Sequence, residues 1–448
     1  MTTYARRLGL FSGTMAVVGG IIGGGIFRTP AVVAERVGSA GLALSAWVLG
    51  GVVALIGAFC YGELGQRRPR AGGGYVYLRE TWGPLPAFLY GWTLLLVIAT
   101  GAIAAIAVTF ANYALALAGL PERLTVPLAV GAIVLVSGIN YVGVRPAAVT
   151  QNIFTILKLV ALAALIGAGL LAAPSTALYR PPPPSTAPEG WWGVVVGVGA
   201  ALVPILFTYG GWQQTNFIAE EIIDAERNLP RALVTGVAGV VVVYVLANVA
   251  YLRVLGSAGL AASIAPAAEV MRALLGPAGG TLIAAGIALS TFGFLNLVIL
   301  VTPRVLQAMA ADGLFFPRLA ELHPVYRTPA AAILVQAGWA VVLTVSGTFG
   351  QLVDYVAFGD WIFFGLTVAG LFIYRARDRS GGDPAPAAAF RVPGYPWTPG
   401  LFVLAAVYVV LSAVRANPGN AAIGAGLIAL GVPVYLFWTK RRDGETLG

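Results

Sequence analysis

The sequence predicts an all-α polytopic membrane protein of twelve transmembrane helices, two of them interrupted. Three observations carry this. Charged residues make up 10% of the 448 positions against 58% hydrophobic, with mean hydropathy +0.86, whereas soluble domains carry about 25% charged residues. Apolar runs of roughly 17 residues or more, long enough to span a bilayer, recur along the chain. Two glycine-rich interruptions fall five spans apart, the spacing of an inverted five-plus-five repeat whose broken helices meet at the midplane. An odd number of spans per copy requires the copies to be inverted; the halves share no residue-by-residue identity, so this symmetry rests on the break positions.

The spans are expected near 10–35 (broken), 40–65, 83–118, 125–142, 147–173, 193–218 (broken), 230–255, 277–311, 329–347, 352–376, 399–415 and 420–438. Residues 1–173 form the first repeat and 174–192 an external loop. Residues 193–376 form the second repeat, and 377–448 two further helices and a tail. In the first span, GGIIGGGIFRTP (Gly19 to Pro30) carries five glycines, each costing about 1 kcal/mol relative to alanine inside a helix. Non-helical backbone at membrane depth is tolerated where it is buried in protein or lines a cavity. The pairs Gly19/Gly23 and Gly20/Gly24 also fit the spacing of close helix packing, so both readings stand on this stretch alone. In the sixth span Pro204 lacks a backbone donor, Gly210 and Gly211 can leave the helix, and Gln213 to Asn216 bring polarity into the membrane. The external loop holds the run Pro181 to Pro184, a polyproline II bridge, before Trp191 and Trp192 re-enter at the interface.

Basic residues set the orientation. Arg6, Arg7, Arg67, Arg68, Arg70, Arg79, Arg145, Arg227, Arg231, Arg318 and Arg327 fall on one side if the helices alternate. So do the arginines from Arg375 to Arg391 and the closing Lys440, Arg441 and Arg442. The opposite loops show mainly Arg123, Arg180, Arg253, Arg272 and Arg415. The asymmetry puts both termini in the cytoplasm. The net charge of +9 is therefore topology and not a nucleic-acid patch. The single cysteine, Cys60, excludes an internal disulfide, and the single histidine, His323, falls in a solvated loop. No residue set of this chain assembles a metal site, a cofactor site or a nucleophilic triad, so an enzyme is not expected.

Several motifs together resemble one family. GGIIGGGIFRTP is similar to the first-helix motif of the amino acid–polyamine–organocation superfamily. FTYGGWQQTNFIAEEIIDAERNLPRAL (Phe207 to Leu233) is similar to the sixth helix of its L-type amino acid transporter branch, here in a bacterial form. YGELGQRRPRAGGGYVYL (Tyr61 to Leu78), STFGFLNLVILVTPRVLQAMAADGLFF (Ser290 to Phe316) and FRVPGYPWTP (Phe390 to Pro399) extend the resemblance in order along the chain. It implies the LeuT-type fold, ten core helices with two added, in a prokaryotic cytoplasmic membrane.

An α-amino acid zwitterion needs donors for its carboxylate and acceptors for its ammonium, and broken helices supply both without burying a side-chain charge. The resemblance assigns the N–H groups of Gly24 and Gly25 to the carboxylate and the carbonyls of Ile21, Phe207 and Gly210 to the ammonium. Many relatives carry serine at the Gly24 position, so a hydroxyl donor is missing. Phe207 matches the aromatic that closes over substrate, Thr208 lines the pocket, and Trp212 is either a pocket wall with a gating role or an anchor. Lys158 interrupts QNIFTILKLVALAALIG about 18 Å along its helix from Pro146, where a lysine costs roughly 2.5–3.5 kcal/mol. Either its stem snorkels or its ammonium works. The family reading places that ammonium where sodium-coupled relatives hold an ion, bridging helix 1 carbonyls to Ser290 or Thr291. Asp360, in the tenth span, either faces the side-chain end of the pocket or hydrogen-bonds within the scaffold. The acidic run Glu220, Glu221, Asp224 and Glu226 reads as a solvated loop before a helix start at Pro230; a gate with helix 2 or helix 8 is the other reading.

The expected function is sodium-independent exchange of neutral L-amino acids by alternating access. Proton-coupled uptake, or carriage of cationic amino acids or polyamines, is the alternative. A channel would need a continuous polar pore or charged rings, which the spans lack. Eukaryotic relatives of the L-type branch join a single-span partner through an external cysteine between helices 3 and 4. The corresponding loop, Gly119 to Thr125, has none, so no disulfide-linked heavy-chain partner is expected.

Overall fold

The computed structural model describes residues 3–172, 190–381 and 389–445; of residues 349–358 and 440–445 only the backbone is described. Pro181 to Pro184, Arg180 and the side chains of Asp354, Lys440, Arg441 and Arg442 lie outside it.

The first apolar stretch divides into α1 (Leu10–Ile21) and α2 (Gly25–Val37), bent by 45°. Then come α3 (Ala40–Arg67), a short α4 (Gly74–Trp82), α5 (Pro84–Thr93), a π-helical turn at Leu94–Ile98, α6 (Ala99–Ala118), α7 (Thr125–Val142) and α8 (Val144–Leu171). The second half opens with α9 (Gly190–Thr208), which gives way at Gly210 and Gly211 to a 3₁₀ helix, Trp212–Glu221. It continues through α10 (Ala225–Ala261), α11 (Pro266–Leu275), α12 (Pro277–Ala311), α13 (Ala330–Ser346) and α14 (Phe349–Ser380). It ends with α15 (Trp397–Ala416), α16 (Pro418–Ala429) and α17 (Gly431–Glu445). Among the described residues nine helices are long and apolar enough to cross a membrane, ten when α1 and α2 count as one.

Two groups of helices face each other. One joins α1, α2, α3, α9 and α10; the other joins α6, α7, α8, α12 and α13, with α14 packed on α15 and α16. The interrupted helices meet on glycine. A Cβ on Gly20 would sit 2.9 Å from the Gly211 carbonyl oxygen, and one on Gly211 would strike the Gly20 carbonyl. Gly211 also holds φ +107°, a conformation that disfavours side chains.

Prolines orphan carbonyls one turn earlier, because they have no N–H to give them. Pro204 in α9 leaves Ala200 O, which Arg36 Nη1 takes at 2.5 Å. Pro230 leaves Glu226 O, which Gln66 Nε2 takes at 2.7 Å. The helix start expected at Pro230 therefore moves to Ala225: the orphaned carbonyl is satisfied, so the proline is tolerated inside α10. The π-helical turn, not expected in the third span, has its loosened carbonyls taken in the same way. Trp339 Nε1 donates to Leu96 O at 2.9 Å and Thr100 Oγ1 to Leu95 O at 2.6 Å. His323 also does more than sit in solvent: its Nδ1 accepts the N–H groups of Val325 and Tyr326, both at 3.2 Å, and shapes that loop.

Candidate functional site

The α1–α2 break is local chemistry made visible. Ile22 N–H still reaches Val18 O at 2.9 Å, and Gly23 N–H turns back to Ile21 O at 2.9 Å. The N–H groups of Gly24 and Gly25 then find no acceptor among the described residues. They stand at the positive end of α2, where an anion is favoured. They border a cavity of about 500 Å³ that also touches Ile21, Thr29, Phe207, Thr208, Gly210 and Phe294. Gly24 is open: a Cβ there would meet nothing within 4 Å. Gly25 is not, because a Cβ would lie 2.8 Å from Thr208 Cγ2. Thr208 is fixed by its own hydroxyl, 2.9 Å from that of Thr29 and donating to Pro204 O at 2.8 Å.

The three expected carbonyl acceptors separate. Ile21 O is already filled, by the Tyr244 hydroxyl at 3.0 Å and by Gly23 N–H, so it lines the cavity without a lone pair to offer. Phe207 O accepts Gly210 N–H at 3.1 Å and keeps one position. Gly210 O has no donor among the described residues.

Lys158, on α8, is fully buried. Its ammonium donates to Ile22 O at 2.7 Å and to Gly19 O at 3.2 Å, two carbonyls that the end of α1 leaves open. Ser290 Oγ donates to the same Ile22 O at 3.2 Å. Thr291, one residue on, turns away and bonds Ile287 O and Ala288 O within its own helix. Ser290, not Thr291, shares the Ile22 carbonyl with Lys158. Buried polar groups below it continue the hold on α1. Asn296 bonds Gln151 Oε1 at 3.1 Å, Gln151 bonds Thr155 at 3.2 Å, and Thr155 reaches Met15 O at 3.3 Å.

Phe207 is 40% exposed and borders two cavities. The second, of about 180 Å³, lies beyond it and contains Asp360 with Tyr90, Gln213, Gln214, Phe217 and Trp361. The Phe207 ring meets Trp361 edge-on at 6.3 Å. Trp212 borders neither cavity. It is packed between Tyr61, at 5.1 Å, and Phe402, at 6.2 Å, and presses on Gly57, the arrangement of an anchor for the chain after the break.

The solvated-loop reading of the acidic run fails at Glu221. Its carboxylate is wholly buried against Arg304 of α12, at 2.7 and 3.3 Å. Nearby, Glu63 binds Arg67 at 3.1 Å and Arg375 at 2.6 Å, and Arg67 reaches Asp378 at 2.7 Å. One set of ion pairs therefore ties α3 to α14, and another ties α12 to the end of the 3₁₀ helix. Sequence reasoning missed Tyr244 and Arg304. Arg304 was legible, as a charge inside the apolar run of Leu297 to Met309. Tyr244 carried no local signal.

A family model described as amino acid permease matches residues 8–438. The mouse protein named large neutral amino acids transporter small subunit 2 is 34% identical over 444 residues, covering 97% of this chain and 82% of that protein. Human Asc-type amino acid transporter 1 is 32% identical, covering 97% and 83%. Human b(0,+)-type amino acid transporter 1 is 34% identical over 426 residues, covering 93% and 84%.

Proposed function

We propose, from the premise that this chain belongs to the amino acid permease family, that it exchanges L-amino acids across a membrane without sodium, by alternating access. One observation carries the reading. The free N–H groups of Gly24 and Gly25 and the free carbonyl of Gly210 border one cavity, at two helix breaks that touch through Gly20 and Gly211. That set fits a carboxylate and an ammonium on one carbon. Neutral amino acids are the first substrates to test, as the mouse relative's name suggests.

The architecture we assign is twelve spans in a LeuT-type inverted repeat. To the nine helices and the bent pair it adds α13, an apolar helix of 17 residues, and α14, of 32. The arginine asymmetry of the loops supports cytoplasmic termini. Lys158 supports sodium independence: its ammonium occupies carbonyls that would otherwise suit a cation. We also assign no disulfide-linked partner, although one relative is named a small subunit. Loop 119–125 has no cysteine and Cys60 is buried. An unchanged band on gels with and without reductant is expected; a heavier band released by reductant would reverse this.

The test is counterflow of labelled leucine in proteoliposomes. Uptake should rise when unlabelled leucine is loaded inside and be equal in sodium and choline media. Uptake indifferent to internal leucine but driven by a proton gradient would replace exchange with symport.

A further inference from the structure

We propose that a groove between α2, α9 and α15 binds one anionic phospholipid, with Arg415 taking its phosphate and Arg36 its ester carbonyls. The site stands on its own geometry; its effect on exchange rests on the transport reading above.

The groove encloses about 1140 Å³. Its long wall is apolar, made by Val194, Val195, Val198 and Leu202 of α9 with Ala413 of α15. Set beside that wall are two arginines, Arg36 and Arg415, and two hydroxyl residues, Tyr408 and Ser412. The described residues around the groove include no acidic side chain; Glu35, next to Arg36 in sequence, is not among them. A basic, hydrocarbon-lined recess between membrane helices matches a lipid with a negative head and apolar tails. An apolar partner helix would leave both charges unanswered, and a small anion would leave the valine wall bare.

Depth orders the two arginines. The helix α9 opens on the exposed Trp191 and Trp192, a pair that marks a membrane interface. Arg415 lies in the last turn of α15 and borders the groove together with Val194, so it stands at that interface. It has no bond or ion pair among the described residues. Tyr408 lies about 10 Å further in along α15. Its hydroxyl rests on Gly199, where a Cβ would come within 2.7 Å. Arg36 shares that level, because its Nη1 donates to Ala200 O, and Ala200 is about 12 Å along the helix from Trp192. A guanidinium so far into a span is rare unless it is paired. One N–H is taken by Ala200 O, and the others have no acceptor among the described residues. In a phospholipid the ester carbonyls lie below the phosphate. The arginines stand in the same order, the outer one offering its fork to the phosphate and the inner one its free N–H groups to the esters.

The groove also adjoins the glycine break. Arg36 and Val203 border both the groove and the cavity at Gly24 and Gly25. Arg36 is carried by α2, the helix that begins at Gly25. A lipid held here ties α2 to α9 and α15 beside the site, so exchange should respond to it.

Phosphatidylglycerol and phosphatidylcholine with identical acyl chains test this, since they differ in head-group charge. Each is titrated into delipidated protein in detergent while the melting temperature is followed. Phosphatidylglycerol should reach half its effect at a concentration about five-fold or more below phosphatidylcholine, roughly the worth of one basic residue to an anionic lipid. Arg415→Gln should remove most of that preference. Arg123→Gln deletes a positive charge outside the groove and should keep it. Val195→Trp fills the groove from its apolar wall and should weaken both lipids. In phosphatidylcholine vesicles, added phosphatidylglycerol should raise leucine counterflow by the wild-type protein and not by Arg415→Gln. Equal titrations of the two lipids in the wild-type protein overturn the proposal, as does the same loss in Arg123→Gln as in Arg415→Gln. So does the full effect from glycerol phosphate alone, which would make this a site for a free anion. A dimer that Arg415→Gln dissociates would give the groove to a second copy and overturn it too. Should Arg415→Gln not fold, the wild-type titrations and Val195→Trp decide it. Lipid preference without counterflow of any amino acid would sink the transport reading alone; counterflow without lipid preference would sink the site alone.

Discussion

Replacing Lys158 by methionine keeps most of the volume and removes the charge. The structure sets the size of the effect. Two charge-assisted hydrogen bonds disappear, to Ile22 O and Gly19 O, each about 1.5–3 kcal/mol. Against this, the insertion cost of a mid-membrane lysine, about 2.5–3.5 kcal/mol, is relieved. The two bonds together, about 3–6 kcal/mol, exceed that relief by about 1.5 kcal/mol at the midpoints, so the folded protein should survive with a modest loss of thermal stability. The break itself fares worse. Ile22 O retains the Ser290 hydroxyl, a neutral bond of about 1 kcal/mol, and Gly19 O retains nothing among the described side chains. The end of α1 then loses most of what fixes it beside Gly24 and Gly25. A loss of roughly 1.4–3 kcal/mol in that ordering corresponds to about ten- to hundred-fold in exchange rate. The assay is initial-rate leucine counterflow, normalised to reconstituted protein. A Lys158→Met protein that purifies normally and exchanges at more than about half the wild-type rate, well short of a ten-fold loss, would refute the reasoning.

Other substitutions probe the remaining parts. Gly24→Ser has room and adds a donor to the carboxylate; a single bond to a charged group predicts KM for leucine lowered by about ten-fold, and an unchanged KM would remove the carboxylate from Gly24. Gly25→Val drives a branched side chain into Thr208 and should abolish exchange; wild-type affinity would count against the site. Arg304→Met leaves the Glu221 carboxylate buried and unpaired, a loss of about 3–5 kcal/mol, so the melting temperature in detergent should drop. Adding Glu221→Gln should recover part of it; no recovery would mean that the arginine acts through packing and not through its charge.

Where the chain departs from helix could be read from residues close in sequence. Glycines at 19, 20 and 23–25, and Pro204 with Gly210 and Gly211, are local facts about φ, ψ and missing donors, and the helices do end there. The misplacement of the α10 start at Pro230 shows the limit of such reading. A proline's cost depends on whether something else satisfies the carbonyl it abandons, and Gln66 lies 160 positions away. The same limit applied to Glu221, which a local reading leaves in a solvated loop and the packing of α12 buries against Arg304.

By itself the sequence determined that the chain is an assembly of apolar helices, that two of them break, and that one lysine sits where only a reason could keep it. Composition, glycine and proline act through the residue's own backbone and its immediate solvent, so no partner need be known. Which carbonyls the lysine takes, why Ser290 and not Thr291 shares one of them, and why Ile21 has none to spare while Gly210 does were decided only in the tertiary structure. Those outcomes depend on the rotation of one helix against another. On a helix, neighbouring positions point about 100° apart, and only the packing of the whole bundle selects which of them faces the break.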